Sequence, residues 1–292
     1  MPIVILLGAP ALTLTVITVL NLLRNQSSTG LNYAVRAAVF TGVVGISLLL
    51  WVQPLAEHYA DSPTVVHGSP GVLVVQALFM AIGNAYRTLG NPSASLPDQF
   101  FAYLFGPGFC EELTKLLPIL YIVFKKENGL DRSSWYRDIL FVGFGSGLGF
   151  GIAEAISPQY SAWNGQNPLF VSQMIRWYSN VPLHALWGLF DVAAIFIGLK
   201  FLVRMPKGFI GYGVVLVLIG MGTLHALFDF VGSINFLLMP VVAFLSLLLV
   251  TRIPSFDGQE SNVESCALSY SIIIGVCLLL TSIAFLWVQS CG

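Results

Sequence analysis

Eight ionisable side chains of this 292-residue chain stand in stretches otherwise suited to hydrocarbon. They are Glu111, Glu112 and Lys115 in GFCEELTKLLPIL, Glu154 in GFGIAEAI, His184 and Asp191 in NVPLHALWGLFD, and His225 and Asp229 in TLHALFDF. Carboxylates and imidazoles are the groups that activate water, move protons and bind metals. Ionisable residues at membrane depth are costly, face a bundle interior or a wet cavity, and read as functional by default. Spacing narrows the options. Glu111 and Lys115 are four apart and Glu112 and Lys115 three apart, so either carboxylate can meet the ammonium on one helix face. Adjacent residues point about 100° apart on a helix, so the two carboxylates cannot share one role. One can face a cavity while the other is held by Lys115 or a neighbouring helix. A plain Glu–Lys pair joining two helices would gain nothing from the second Glu. His225 and Asp229, four apart, share a face, where the Asp can fix the imidazole tautomer or join it as a metal ligand. One intramembrane His is often just bonded to a carbonyl, but His184 and His225 recur in matching His-Ala-Leu-aromatic contexts. His58 and His67 read as solvated.

The elements that must position these groups follow from composition. Of all residues 56% are hydrophobic and 9% charged, against roughly 25% charged in an ordinary soluble domain. That is too few to cover a water-facing surface. Repeated apolar runs of about 20 residues match the thickness of a bilayer. The expected fold is all-α: a polytopic membrane helix bundle with about eight transmembrane helices, at 3–23, 37–56, 100–124, 138–156, 180–203, 211–232, 235–251 and 268–288. The stretch 71–87 carries Gln76, Asn84 and Arg87 and is expected as an interfacial or re-entrant helix. With the N-terminus outside, ten Lys and Arg fall inside and only Arg87 and Arg176 outside, the bias of the positive-inside rule. The N-terminal run lacks the basic region of a signal peptide and reads as the first crossing. Cys110, Cys266, Cys277 and Cys291 show neither metal spacing nor a disulfide framework. No basic cluster points to nucleic acid.

Gly143, Gly147 and Gly151 recur every four residues, a small-residue stripe that lets two helices approach closely. Glu154 follows Gly151 by three and lies on that same face. At about 1.5 Å per residue, Glu111, Glu154, His184 and His225 all fall in the outer half of the bilayer, within reach of one outward cavity.

Four segments in order, EELTK (Glu111–Lys115), GFGIAEA (Gly149–Ala155), HALWG (His184–Gly188) and HALFD (His225–Asp229), resemble the PrsW family of intramembrane proteases. That family is grouped with the CAAX-prenyl proteases, bacteriocin-processing enzymes and the APH-1 subunit of γ-secretase. Ala155 stands where the family often has Asn, and Phe228 where Trp is commoner; neither change removes an ionisable group. The resemblance implies one integral membrane domain over 1–292, with a four-helix catalytic core at 100–232. It implies cleavage of membrane-anchored proteins, such as an anti-sigma factor, near the outer face of a bacterial cytoplasmic membrane. Two chemistries are implied. In one, Glu111 or Glu112 activates water and a His polarises the scissile carbonyl. In the other, His184, His225 and a carboxylate such as Asp229 hold Zn²⁺ while a Glu acts as base; Lys115 and Glu154 complete the expected site. A proton- or cation-coupled transporter would call for inverted repeats, which the sequence lacks. A non-catalytic scaffold like APH-1 could dispense with the glutamates.

Overall fold

The computed structural model describes residues 28–61, 69–89, 91, 93–126, 132–156, 180–181, 183–192, 194–195 and 209–234. The expected crossings at 3–23, 235–251 and 268–288 lie outside these. Among the described residues every regular element is helical. They are α1 (Ser28–Val39), α2 (Ile46–Asp61), α3 (Pro70–Leu89), α4 (Leu96–Tyr103), α5 (Phe109–Lys126), α6 (Arg132–Ile156), α7 (Leu183–Val192) and α8 (Phe209–Ile234).

Two joints are π-helical. Phe40–Gly45 links α1 to α2 without a break, so the helix expected at 37–56 is longer at both ends. Leu104–Gly108 links α4 to α5, and Gly106 there leaves helical geometry at φ −78°, ψ −105°. The cause lies in the sequence GPG, where Pro107 has no N–H to donate and its ring clashes with the preceding turn. The helix expected at 100–124 is therefore bent, and the bend falls just before Glu111. At the other end, Ser95 caps α4 by accepting from the Asp98 backbone N–H.

Among the described residues, four helical stretches are long and apolar enough to cross a membrane: Gly30–Asp61, Pro70–Leu89, Asp138–Ile156 and Val214–Val231. Large side chains such as Trp51, Val74, Leu216 and Ile219 are exposed on them, as expected of lipid-facing surface. The segment expected as interfacial or re-entrant is therefore an unbroken helix of crossing length. Its last turn lies beside the end of α2. Gly83 packs on Ala56 and Ala60, and Arg87 pairs with Asp61 and donates to the Glu57 carbonyl.

The core sits around α6, and glycine explains why. Gly143, Gly147 and Gly151 face α7, and a Cβ on Gly147 would stand 1.9 Å from the His184 carbonyl oxygen. Gly145 and Gly149 form a second stripe against Ala34 and Ala38 of α1. With no side chain on either face, the helix axes close to a distance no larger residue allows. Polar groups lock the contact from behind. The Thr41 hydroxyl donates to the Ser146 carbonyl at 2.7 Å, and the Ser146 hydroxyl donates to the Lys115 carbonyl at 2.7 Å. Leu116, Ile119, Ile139, Val142 and Val192 fill the space around them.

Candidate active site

Three elements deliver the first charged groups to one place. The kink at Gly106 sets the direction of α5, whose first turn carries Glu111 and Glu112. The glycine stripe of α6 draws α7 inward and fixes the height of His184 against Gly147. Gly108 meets α8 at Gly222 and Ala226, beside His225. Phe100 and Tyr103 pack edge-on against Phe230, one residue beyond Asp229.

A chain of polar contacts then runs across four helices. Asn180 donates to Glu154 Oε1 at 3.1 Å, and His184 Nε2–H donates to Glu154 Oε2 at 2.8 Å. Lys115 Nζ donates to His184 Nδ1 at 3.0 Å and to Glu112 Oε1 at 2.5 Å. His225 Nδ1–H donates to the same Glu112 oxygen at 2.7 Å. Its other nitrogen, Nε2, faces Glu111 Oε2 and Asp229 Oδ2, each at 3.4 Å. Glu112 and Lys115 are wholly buried, and Glu111, His184 and His225 nearly so; the Asp229 side chain is 29% exposed and that of Glu154 13%. Aromatic rings wall the centre. Trp187 lies over His225 with centroids 4.6 Å apart, and Lys115 Nζ sits 5.1 Å from Trp187 and 5.4 Å from Phe150.

Seven of the eight side chains singled out from the sequence, all but Asp191, are thus joined in one cluster. Lys115 takes Glu112, not Glu111. Glu112 Oε1 is held by both Lys115 and His225, whereas Glu111 Oε2 is buried with no hydrogen bond and has only His225 Nε2 near it, at 3.4 Å. The expected ligand set was His184, His225 and a carboxylate such as Asp229. In the structure donor atoms of Glu111, His184 and His225 all lie within 4.8 Å of one another, and Asp229 flanks His225 from the more open side. Two imidazoles and a buried carboxylate are a donor set suited to zinc or a similar divalent ion. A buried carboxylate oxygen without a hydrogen bond, beside an imidazole nitrogen, calls for a positive charge there. Sequence reasoning gave no role to Asn180, which orients Glu154, or to Trp187, which covers His225. Asp191, intramembrane by its sequence context, is fully buried, and neither of its carboxyl oxygens is hydrogen-bonded among the described residues.

A helical bundle with a buried carboxylate–imidazole–ammonium cluster, its outer helices apolar, is that of an integral membrane protein with a polar centre. The chain belongs to the PrsW family of intramembrane metalloproteases: the family model matches residues 30–253, which include every site residue above. No curated protein and no solved structure matches it.

Proposed function

We propose that the chain is an endopeptidase that cuts membrane-anchored proteins at the cluster centred on Glu111, His184 and His225. The observation that carries this reading is the convergence of these three buried side chains from three helices, with one Glu111 oxygen accepting no hydrogen bond.

Glu111, His184 and His225 would hold the metal. When bound, a zinc ion supplies Lewis acidity for the scissile carbonyl and a water of lowered pKa. Every other role belongs to the chain. Glu112, accepting from His225 Nδ1–H, fixes the tautomer that turns Nε2 inward, the carboxylate–histidine arrangement common around metals. Lys115 balances the Glu112 charge and holds His184 from the Nδ1 side. Glu154, partly open and oriented by Asn180, takes the proton of the attacking water at Oε2 and returns it to the leaving amine. Asp229 steadies His225 from the open edge. Trp187 and Phe150 keep bulk water from the Lys115 ammonium and strengthen the electrostatics around it.

The charge bias of the loops and the depth of the site along its helices support cleavage near the outer face. The family resemblance suggests an anti-sigma factor as one such substrate, in a bacterial cytoplasmic membrane.

Elemental mass spectrometry of the detergent-purified protein, beside cleavage of a membrane-anchored reporter, tests the assignment. Wild type should carry about one zinc per chain, His225→Ala none. Glu154→Gln should keep the metal and lose cleavage. A second reading has its own support, since both His184 nitrogens are already bonded, to Lys115 and to Glu154. In it Glu111 is the base and His225 the electrophile, and cleavage survives chelation of a metal-free protein. Normal cleavage by both Glu111→Gln and His225→Ala would remove the cluster from the chemistry altogether.

A further inference from the structure

Trp187 is the largest fully buried side chain among the described residues, only 1% exposed, and its indole Nε1–H meets no acceptor there. Its surroundings are those of the active site. The ring lies over His225 with centroids 4.6 Å apart and planes 36° from parallel, and it meets His184 edge-on at 5.2 Å. Phe228 closes another side at 5.5 Å, and the Lys115 ammonium sits over the ring at 5.1 Å.

An indole N–H only donates. Buried without an acceptor it costs free energy, and few such groups persist in a folded core without a reason. Packing alone supplies none, because Phe144, Phe190 and Phe228 fill the same core with rings that carry no N–H. Lys115 cannot take the bond, since an ammonium has no lone pair to offer. The buried oxygens Glu111 Oε2 and Glu112 Oε2 do not receive it either. The missing acceptor is therefore one that a guest brings to the two imidazoles. For a peptidase that group is the carbonyl of the bond to be cut.

We propose that Trp187 is a further catalytic residue: its Nε1–H donates to the scissile carbonyl oxygen as negative charge develops there. As water adds to the carbonyl carbon, the π electron pair moves onto that oxygen and the proton of the water passes to Glu154 Oε2. The indole keeps its own proton and only tightens its hydrogen bond. When the adduct collapses, the pair returns to form the carbonyl, the C–N bond breaks, and Glu154 hands the proton to the departing amine. A fixed donor in a wall that excludes water favours such charge more than water itself does. The proposal deepens the protease reading above and rests on it.

Benzothienylalanine, which carries sulfur in place of the indole N–H, keeps the ring and removes the donor. With it at position 187, kcat for the membrane-anchored reporter should fall about 100- to 1,000-fold, the loss seen for one oxyanion donor. KM should stay within about threefold, because the bond forms in the transition state. Trp187→Phe, which also lacks the N–H, should show the same split. Wild-type kcat from the benzothienylalanine protein would overturn the proposal while leaving the protease reading intact. Ultraviolet resonance Raman spectra give a readout without turnover. Wild type minus Trp187→Phe isolates this indole among the six of the chain. Its N–H-sensitive band should stand at the unbonded position at rest and shift to the bonded one when a peptide phosphonamidate, a tetrahedral analogue of the adduct, is added. A bonded position at rest, or no shift while the phosphonamidate blocks reporter cleavage, would overturn the donor role. A wild type that neither cleaves the reporter nor binds the phosphonamidate would instead sink the protease reading, and this proposal with it.

Discussion

Lys115 Nζ lies 3.0 Å from His184 Nδ1 across 69 residues of sequence, and the same ammonium lies 2.5 Å from Glu112. One buried cation thereby joins the carboxylate that orients His225 to the imidazole that Glu154 orients. Removing it should cost structure as well as chemistry. Lys115→Met leaves the buried Glu112 charge with His225 alone beside it, and breaking a buried ion pair is worth roughly 3–5 kcal/mol. The expected outcome is loss of cleavage and a lowered melting temperature; a variant as stable as wild type would show that Lys115 is not needed to balance Glu112.

The two histidines should be equally necessary despite unequal surroundings. His184→Ala and His225→Ala are each expected to reduce cleavage to background in the reporter assay, with the protein still inserted. A wild-type rate from either would take that residue out of the site. Asp229→Asn, at the open edge and 3.4 Å from His225, should cost only about 10- to 100-fold, as for other residues that orient a ligand.

Helix approach should be as sensitive as the charges. On Gly147 a Cβ would stand 1.9 Å from the His184 carbonyl oxygen, whereas a Cβ on Gly220 of α8 meets nothing within 4 Å. Gly147→Ala must push α6 and α7 apart and displace His184 from Glu154, so both stability and cleavage should fall. Gly220→Ala should be neutral or stabilising by about 0.5–1 kcal/mol, the usual gain over glycine inside a helix. Thermal melts of the two variants, side by side, decide whether the stripe is a tight contact or a coincidence of composition.

Orientation can be read by labelling. In a cysteine-free background, Leu130→Cys and Met205→Cys should resist an impermeant thiol reagent in intact cells, because the basic segments around them belong inside. Asn91→Cys, between the paired ends of α2 and α3 and the start of α4, should react. The reverse pattern would invert the topology and move the site to the inner half of the membrane.

Much of this was legible in the chain itself. Apolar runs gave the helical class because hydrocarbon tolerates backbone only when its polar groups are bonded internally. Glu111, Glu112, Lys115, Glu154, His184, His225 and Asp229 could be picked out because a charge in such a run is unfavourable without a purpose. The Gly143, Gly147 and Gly151 stripe was visible as well. The second stripe, Gly145 and Gly149, was equally present in GFGSGLGFG but passed unread, since only its contact with Ala34 and Ala38 distinguishes it from spacing.

Other matters belonged to the tertiary structure. Sequence spacing allowed Lys115 to reach either Glu111 or Glu112, and allowed Asp229 to serve beside the histidines as readily as Glu111. Periodicity tells which residues share a helix face, but not how that face is rotated toward its neighbours. Here the rotation is set by the kink at Gly106 on one side of Glu111 and by close contacts such as Gly108 with Gly222 and Gly147 with His184. Those contacts place Glu112 on Lys115 and His225 and leave Glu111 Oε2 beside His225 Nε2 without a hydrogen bond. The residue types dictated that a polar centre must exist; the packing of α5, α6, α7 and α8 decided which atom of each faces which.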